Sequence, residues 1–150
     1  MKKTYAFILL VICLLFSCMT SCDDKHNNIG KLCGNWQLLQ IDTLKNNNDC
    51  SMKDKKIFMA IQLKLVCFTN YSNMKNMPRQ IFFRFHYTGD SLTLYSPYVN
   101  HRTEDTPLQA ADTLRYYGIE DTTVHYAIEA LDEDKLVLRS NNYKLYFRNY

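Results

Sequence analysis

The chain has 150 residues, of which 47% are hydrophobic, 22% are charged and 13% are aromatic, with only four glycines and three prolines. This length fits one domain with its own core. The composition excludes a wholly disordered chain, a collagen-like repeat and a protein made mainly of membrane spans. The 18 basic and 15 acidic side chains are interspersed. No basic face of the kind that binds nucleic acid is concentrated in the sequence, so we predict no nucleic-acid partner.

The first 21 residues have the pattern of an export signal. Lys2 and Lys3 precede an uninterrupted apolar run over residues 6–16, which is too short for a membrane-spanning helix. The segment ends in Met-Thr-Ser-Cys at residues 19–22, which resembles a bacterial lipobox, the motif whose cysteine receives a diacylglycerol anchor. Cys22 is the predicted lipidation site and Cys18 is its competitor. The alternative is an ordinary secreted protein that is cut just before Cys22.

Residues 22–31 are predicted to form the lipidated N-terminus and a tether, and residues 32–150 the folded domain. Without residues 1–21 the chain keeps 16 of its 18 basic side chains against 15 acidic ones, so its net charge is close to neutral. Asp23 and Asp24 resemble the surface-export signal of Bacteroidota lipoproteins, and they fit solvated linker charges equally well. The predicted location is the cell envelope, with a lipid anchor in the outer membrane and surface display as one option.

Alternation of apolar and polar residues predicts β-strands from Trp36 onward. The clearest run is one 12-residue strand over residues 57–68, with Leu63 and Cys67 on its apolar face. Shorter runs begin near residues 81, 91, 124, 136 and 143. Turn-forming residues separate several of them, at 88–90, 132–134 and 141–142.

One short helix is predicted over residues 106–118. Thr106 can cap its start, Pro107 suits its first position, and Gly118 can end it. About seven or eight strands and one helix predict an all-β fold, a small antiparallel up-and-down barrel, because closure removes the exposed edges of a sheet.

Two segments then support a family resemblance. Gly34-Asn35-Trp36 resembles the G-x-W opening of lipocalins and related calycins, and residues 136–140 with 143–150 resemble the ending of lipocalin-like lipoproteins from Bacteroidota. In that family the tryptophan closes one end of the barrel and a basic residue near the C-terminus packs across it. The resemblance implies the first role for Trp36 and offers Arg148 or Arg139 for the second. The alternative is that Trp36 is simply a large core residue.

The sequence offers no pattern that supports catalysis or a bound metal. It has no C-x-x-C after Cys22, no H-E-x-x-H and no G-x-S-x-G, and its acidic clusters at 104–105 and 132–134 fall in loops and turns. We therefore predict no enzymatic activity and no cofactor. Cys33, Cys50 and Cys67 allow one disulfide, with Cys33 and Cys50 as one pairing and Cys67 as a buried small hydrophobe.

A barrel with these strands would turn apolar rows with a few tyrosine hydroxyls inward, which is how small-molecule sites are built. The predicted cavity-lining residues are Ile61, Leu63, Phe83, Phe85, Tyr87, Tyr126, Ile128, Leu138 and Tyr143. The predicted function is a membrane-anchored, lipocalin-like lipoprotein that binds a small apolar or amphipathic molecule. A filled interior would instead indicate a non-catalytic accessory or adhesion module that binds a protein or glycan through loops such as 70–73 and 98–101.

Overall fold

The computed structural model describes residues 29–72, 77–101, 103–109 and 111–150. The predicted signal, Cys22 and most of the predicted tether lie outside the described residues. Within these ranges the strands are β1 (Gly34–Thr43), β2 (Asn48–Ser51), β3 (Ile57–Gln62), β4 (Leu65–Asn70), β5 (Gln80–Tyr87), β6 (Ser91–Asn100), β7 (Asp105–Pro107), β8 (Val124–Leu131), β9 (Lys135–Arg139) and β10 (Tyr143–Asn149). The helices are α1 (Ala111–Arg115) and two 3₁₀ turns, Gly30–Leu32 and Lys53–Lys55.

Eight of the strands close into an antiparallel barrel. Strands β1, β3, β4, β5, β6, β8, β9 and β10 each pair with the next in this order, and β10 returns to pair with β1. β2 forms a hairpin with the second half of β1, and β7 pairs with the end of β6. The predicted all-β, up-and-down barrel with one short helix is therefore confirmed.

The prediction of one long strand over residues 57–68 was wrong. The chain reverses at Leu63 and Lys64, and β3 pairs with β4 from Ile57 opposite Asn70 to Gln62 opposite Leu65. Leu63 takes the left-handed backbone conformation that tight hairpin turns require, with φ of 53°. Because the turn has two residues, the inward set changes from odd to even numbers. Cys67 consequently lies on the outer wall, where it is half-buried.

The predicted helix over residues 106–118 is shorter than expected. Thr106 and Pro107 belong to β7, where Thr106 pairs with Val99 of β6, so neither residue begins a helix. The five-residue helix α1 covers only the middle of the predicted range. Gly118 does follow the closing turn, with φ of +72°, a conformation that glycine adopts without strain.

Local irregularities in the ladders also change which residues face inward. The β1–β10 register shifts between Leu38 and Gln40, and the β8–β9 register shifts between Ile128 and Ala130. Each shift adds one residue to a strand, as β-bulges do. In β1 the buried inner residues accordingly change from Trp36 and Leu38 to Ile41.

Both ends of the barrel are covered by apolar side chains. At one end Trp36 is buried beside Leu32, and its indole Nε1 donates to the Leu32 carbonyl at 3.0 Å. At the other end the connection from β7 to β8 buries Leu114, Tyr117 and Ile119 completely. We call residues 114–119 the plug. The barrel is thus closed at both ends by its own chain.

The plug contacts strands on opposite sides of the barrel. The ring of Tyr117 lies 5.7 Å from that of Phe68 on β4, and the Tyr126 hydroxyl on β8 donates to the Gly118 carbonyl at 3.0 Å. Burial raises the pKa of the Tyr126 phenol well above its usual range, so the phenol stays neutral and remains a donor. A Cβ on Gly118 would meet Leu145 and Ile41, which shows how closely the plug approaches β10 and β1.

Cys33, Cys50 and Cys67 are all free thiols in the structure. Cys33 and Cys50 are both exposed, and the disulfide between them that was considered from sequence is not formed. Burial raises the pKa of the Cys67 thiol, partly offset by its hydrogen bond with Thr69.

Candidate functional site

The barrel interior is filled at the positions predicted to line a cavity. Ile61, Phe83 and Leu138 have no accessible surface, and Tyr126 keeps only 1%. A side chain that borders a water-sized void retains accessible surface, so these four are packed on all sides at the density of an ordinary protein core. Their placement inside the barrel agrees with the alternation in the sequence. Their packing leaves no room beside them for a ligand.

The remaining predicted lining residues lie elsewhere. Four more are only partly buried and pack against the core from its margin: Phe85, Tyr87, Ile128 and Tyr143. Leu63 was expected inside and is 70% exposed, because it occupies the β3–β4 turn and not the middle of a strand. The predicted lining set is therefore divided between the packed core, its margins and the surface.

The predicted stacking of a basic residue across Trp36 is not found. Arg148 is exposed on the outer face of β10, next to the buried Phe147, and its Nε donates to the side-chain amide oxygen Oε1 of Gln37 at 2.8 Å. The other candidate, Arg139, forms an ion pair with Glu129 at 3.1 Å on the outer wall. Both arginines point away from the interior because the inward row of each strand is apolar.

A groove of about 780 Å³ runs along the outer wall of the barrel. Its floor is formed by outward-facing residues of β1, β3 and β4, and β10 supplies one side. We call it the outer groove. Its described lining residues are Asn35, Gln37, Lys53, Lys56, Phe58, Ala60, Thr69, Tyr71, Arg148 and Tyr150. This volume lies in the range of sites that hold small ligands.

Three aromatic rings give the outer groove an apolar surface. Phe58 is at the centre, with the Tyr150 ring centroid 4.8 Å away and the Tyr71 centroid 5.8 Å away, both edge-to-face. Tyr150 is 74% exposed and Tyr71 is half exposed. The Arg79 guanidinium covers the Tyr71 ring at 5.3 Å. Large, exposed aromatic rings that cluster in a concave surface are unusual on a solvated wall and are typical of binding sites.

The charged side chains that line the outer groove all have the same sign. Lys53, Lys56 and Arg148 line it, and no acidic side chain is among its described lining residues. Asp54 lies between the two lysines in sequence but does not line the groove. Three cations thus lie in one lining although the chain as a whole is close to balanced, and clustered cations of this kind favour anions near them.

Gln37 holds Arg148 in place. Although it faces the outer wall, Gln37 is only 6% exposed, and its amide Nε2 donates to the Lys53 carbonyl at 3.3 Å. One side chain thus connects β10 to the turn that carries Lys53. Because the Gln37 contact uses only Nε of Arg148, both terminal amino groups of the guanidinium stay available for a planar anion.

The described residues show no arrangement that suggests catalysis. His86 and His125 are exposed on the outer wall, and the Thr93 hydroxyl lies 2.8 Å from Nδ1 of His125. Glu129 accepts from Lys144 at 2.7 Å, and this hydrogen bond lowers the pKa of its carboxyl. In the described ranges, no group of three His, Cys, Asp or Glu side chains is placed to hold a metal ion.

Sequence reasoning missed the outer groove for a definable reason. In the predicted strand over residues 57–68, Phe58 and Ala60 fall on the face opposite Leu63 and Cys67, and a solvated face needs no such apolar residues. The feature of the sequence that could have indicated the groove was Phe58, a large apolar side chain on a face expected to be polar. The contribution of Tyr150 and Arg148 could not be anticipated, because it depends on β10 returning to pair with β1.

The closed eight-stranded barrel, with a G-x-W motif opening its first strand, is the architecture of lipocalin-like proteins. A family model described as Lipocalin-like domain matches residues 16–150, and the chain belongs to this family.

Two solved structures have the same fold. One is a lipocalin-like protein from Bacteroides uniformis, with 17% identity and a TM-score of 0.59, which covers 81% of this chain and 100% of that chain. The other is an uncharacterized protein from Bacteroides eggerthii, with 14% identity and a TM-score of 0.58, which covers 79% of this chain and 98% of that chain. Among curated proteins no match is found.

Proposed function

We propose that this chain is a lipid-anchored, non-catalytic binding protein of the bacterial cell envelope, and that it holds a small amphipathic molecule in the outer groove. The observation that carries the proposal is the combination of three clustered aromatic rings with three cations in one concave surface. Rings supply apolar contact area, and cations supply attraction for a polar head group.

The packing of the interior favours a ligand site on the outside of the barrel over one inside it. A ligand inside would have to displace fully buried side chains such as Phe83 and Leu138, or the plug residues Leu114 and Tyr117. Expelling packed side chains costs stability that a small ligand must supply from its own binding free energy. The outer groove needs no such rearrangement, because its rings are already exposed to solvent.

The second candidate function is an accessory module that binds a larger partner, a protein or glycan, through its surface. The filled interior favours this candidate as well. In that case the contact would extend past the groove, for example to Tyr98 on β6. The two candidates differ in whether a free small molecule binds with measurable affinity on its own.

N-phenyl-1-naphthylamine, a neutral dye with two aromatic ring systems, tests the groove. Residues 23–150 contain every strand of the closed barrel and are used without the signal. We expect saturable binding at one site, weakened about tenfold by Phe58→Ala and by Tyr150→Ala, because each change removes ring contact worth about 1.4 kcal/mol. Dye fluorescence measures the affinity, and Trp36 emission reports whether each variant is folded.

Phe82→Ala is the matched control, because Phe82 lies on the outer wall away from the groove, stacked on Tyr98 at 5.4 Å. It should leave dye affinity unchanged. Leu138→Phe overpacks the interior and should cost about 1–3 kcal/mol of stability without changing affinity. If Leu138→Phe abolished binding in a folded protein while Phe58→Ala had no effect, the site would be inside the barrel and the proposal would be wrong.

The lipid anchor is the second part of the proposal, and it rests on the sequence of residues 1–22. None of the helices in the described ranges has both the length and the apolar character needed to cross a membrane. With Cys22 as the lipidated residue, Cys22→Ala should move the protein from the membrane fraction to the soluble fraction of cells. Cys18→Ala, the matched control, should not. Retention of the Cys22→Ala protein in membranes would refute this assignment.

A further inference from the structure

The outer groove presents three kinds of group to a ligand at once: exposed ring faces, cations without an acidic neighbour in the lining, and uncharged hydrogen-bonding side chains. Building on the function proposed for this groove, we propose that its ligand is an acidic oligosaccharide. The carboxylates of the sugar pair with Arg148 and Lys53, and the apolar faces of its rings lie on Phe58 and Tyr150.

Arg148 is the anchor for a carboxylate. Its Nε is held by Gln37 at 2.8 Å, so the plane of the guanidinium is set by a nearly buried side chain. In the described part of the chain, no acidic side chain forms an ion pair with Arg148. A planar carboxylate can therefore accept from both terminal amino groups, which is the geometry that arginine provides and lysine does not.

The lysines supply further positive charge at the other side of the groove. Lys53 begins a 3₁₀ turn and Lys56 directly follows it, and the Gln37 amide that holds Arg148 also contacts the Lys53 carbonyl. Two cationic positions on separate elements suit a ligand that carries more than one acidic group. Since all these cations face solvent, the attraction is screened by salt.

An open groove discriminates between kinds of amphipathic anion. A flexible alkyl chain lying in it would leave much of its surface in water, so a fatty acid gains little there. A sugar ring has a face of C–H bonds that packs against the negative face of an aromatic ring, and an edge of hydroxyls that can stay hydrated. Asn35 and Thr69 line the groove as hydrogen-bonding partners for such hydroxyls.

The test uses tetragalacturonate and its fully methyl-esterified form, which has the same rings without the charges. Isothermal titration calorimetry on residues 23–150 should show saturable binding of the acid and about tenfold weaker binding of the ester. Raising the salt concentration from about 0.05 to 0.5 M should weaken binding of the acid only. Arg148→Gln and Lys53→Gln should each weaken binding of the acid about tenfold and leave binding of the ester unchanged.

Arg84→Gln is the matched control, because it removes the same charge from the outer wall outside this groove, and it should have no effect. Lys53→Gln keeps the result interpretable if Arg148→Gln alters the fold, since the Lys53 side chain is exposed. Equal affinity for acid and ester would overturn the inference. So would 2-naphthoate binding as tightly as tetragalacturonate with the same dependence on Arg148, because the preferred ligand would then be an aromatic acid.

The dye experiment separates this inference from the proposed function. If tetragalacturonate does not bind while the neutral dye still binds and depends on Phe58, the groove is a site and its ligand is not an acidic sugar. If neither binds, the groove is not a small-molecule site and both proposals fail.

Discussion

Replacing Phe83 by Asp is expected to unfold the barrel or cost several kcal/mol of stability. The Phe83 ring has no accessible surface and packs edge-to-face on Phe68, with centroids 5.8 Å apart. An aspartate there would lose these contacts and bury a carboxylate with no partner. A cost of this size is comparable to the whole stability of many small domains, which is about 5–15 kcal/mol. Urea unfolding followed by Trp36 emission measures the effect.

Two neighbouring substitutions are the controls. Arg84→Asp, one position along on the outer wall, should change stability by less than about 1 kcal/mol. Leu63→Asp should be equally mild because Leu63 is exposed in the β3–β4 turn. Severe damage from Leu63→Asp would show that this residue is buried in solution and that the hairpin is formed differently.

Trp36→Ala is the second substitution with a large expected effect. Trp36 is 1% exposed and is the largest fully buried side chain in the described ranges. Its removal should cost about 3–5 kcal/mol through lost burial and the cavity left behind. The Leu32 carbonyl would also lose its indole donor. Because the only tryptophan is gone, far-UV circular dichroism during urea unfolding is the measurement.

Trp36→Phe separates the two contributions. It keeps an aromatic ring in the core and removes only the indole N–H and part of the volume, so we expect a smaller loss than for alanine. If Trp36→Ala were as stable as the original chain, Trp36 would not be closing this end of the barrel.

The fold could be predicted from sequence because one face of nearly every strand is buried. Alternation identifies such strands, and Gly89 marks the β5–β6 turn through its positive φ. The β3–β4 hairpin could not be found in this way, because its turn is Leu63-Lys64 and carries no glycine, asparagine or aspartate. At Leu63 the pairing of β3 with β4 prevails over the local preference of leucine for negative φ.

The outer groove was less predictable than the fold. Phe58 and Ala60 on an outward face were a local signal, but the positions of Arg148 and Tyr150 depend on the closing contact between β10 and β1. A contact between segments so far apart in sequence is set by topology and leaves no local pattern. The packing of the interior could not be predicted from sequence either, since alternation shows which side chains point inward and not whether they fill the space.

The most direct test of the central claim is to locate a bound ligand relative to Phe58 and Phe83, which lie on opposite faces of the barrel wall. Nuclear Overhauser effects from bound N-phenyl-1-naphthylamine to assigned ring and methyl protons provide this measurement. We predict contacts from the dye to Phe58 and Tyr150 and none to Phe83 or Leu138. Contacts to Phe83 and Leu138 would contradict the account and place the ligand inside the barrel.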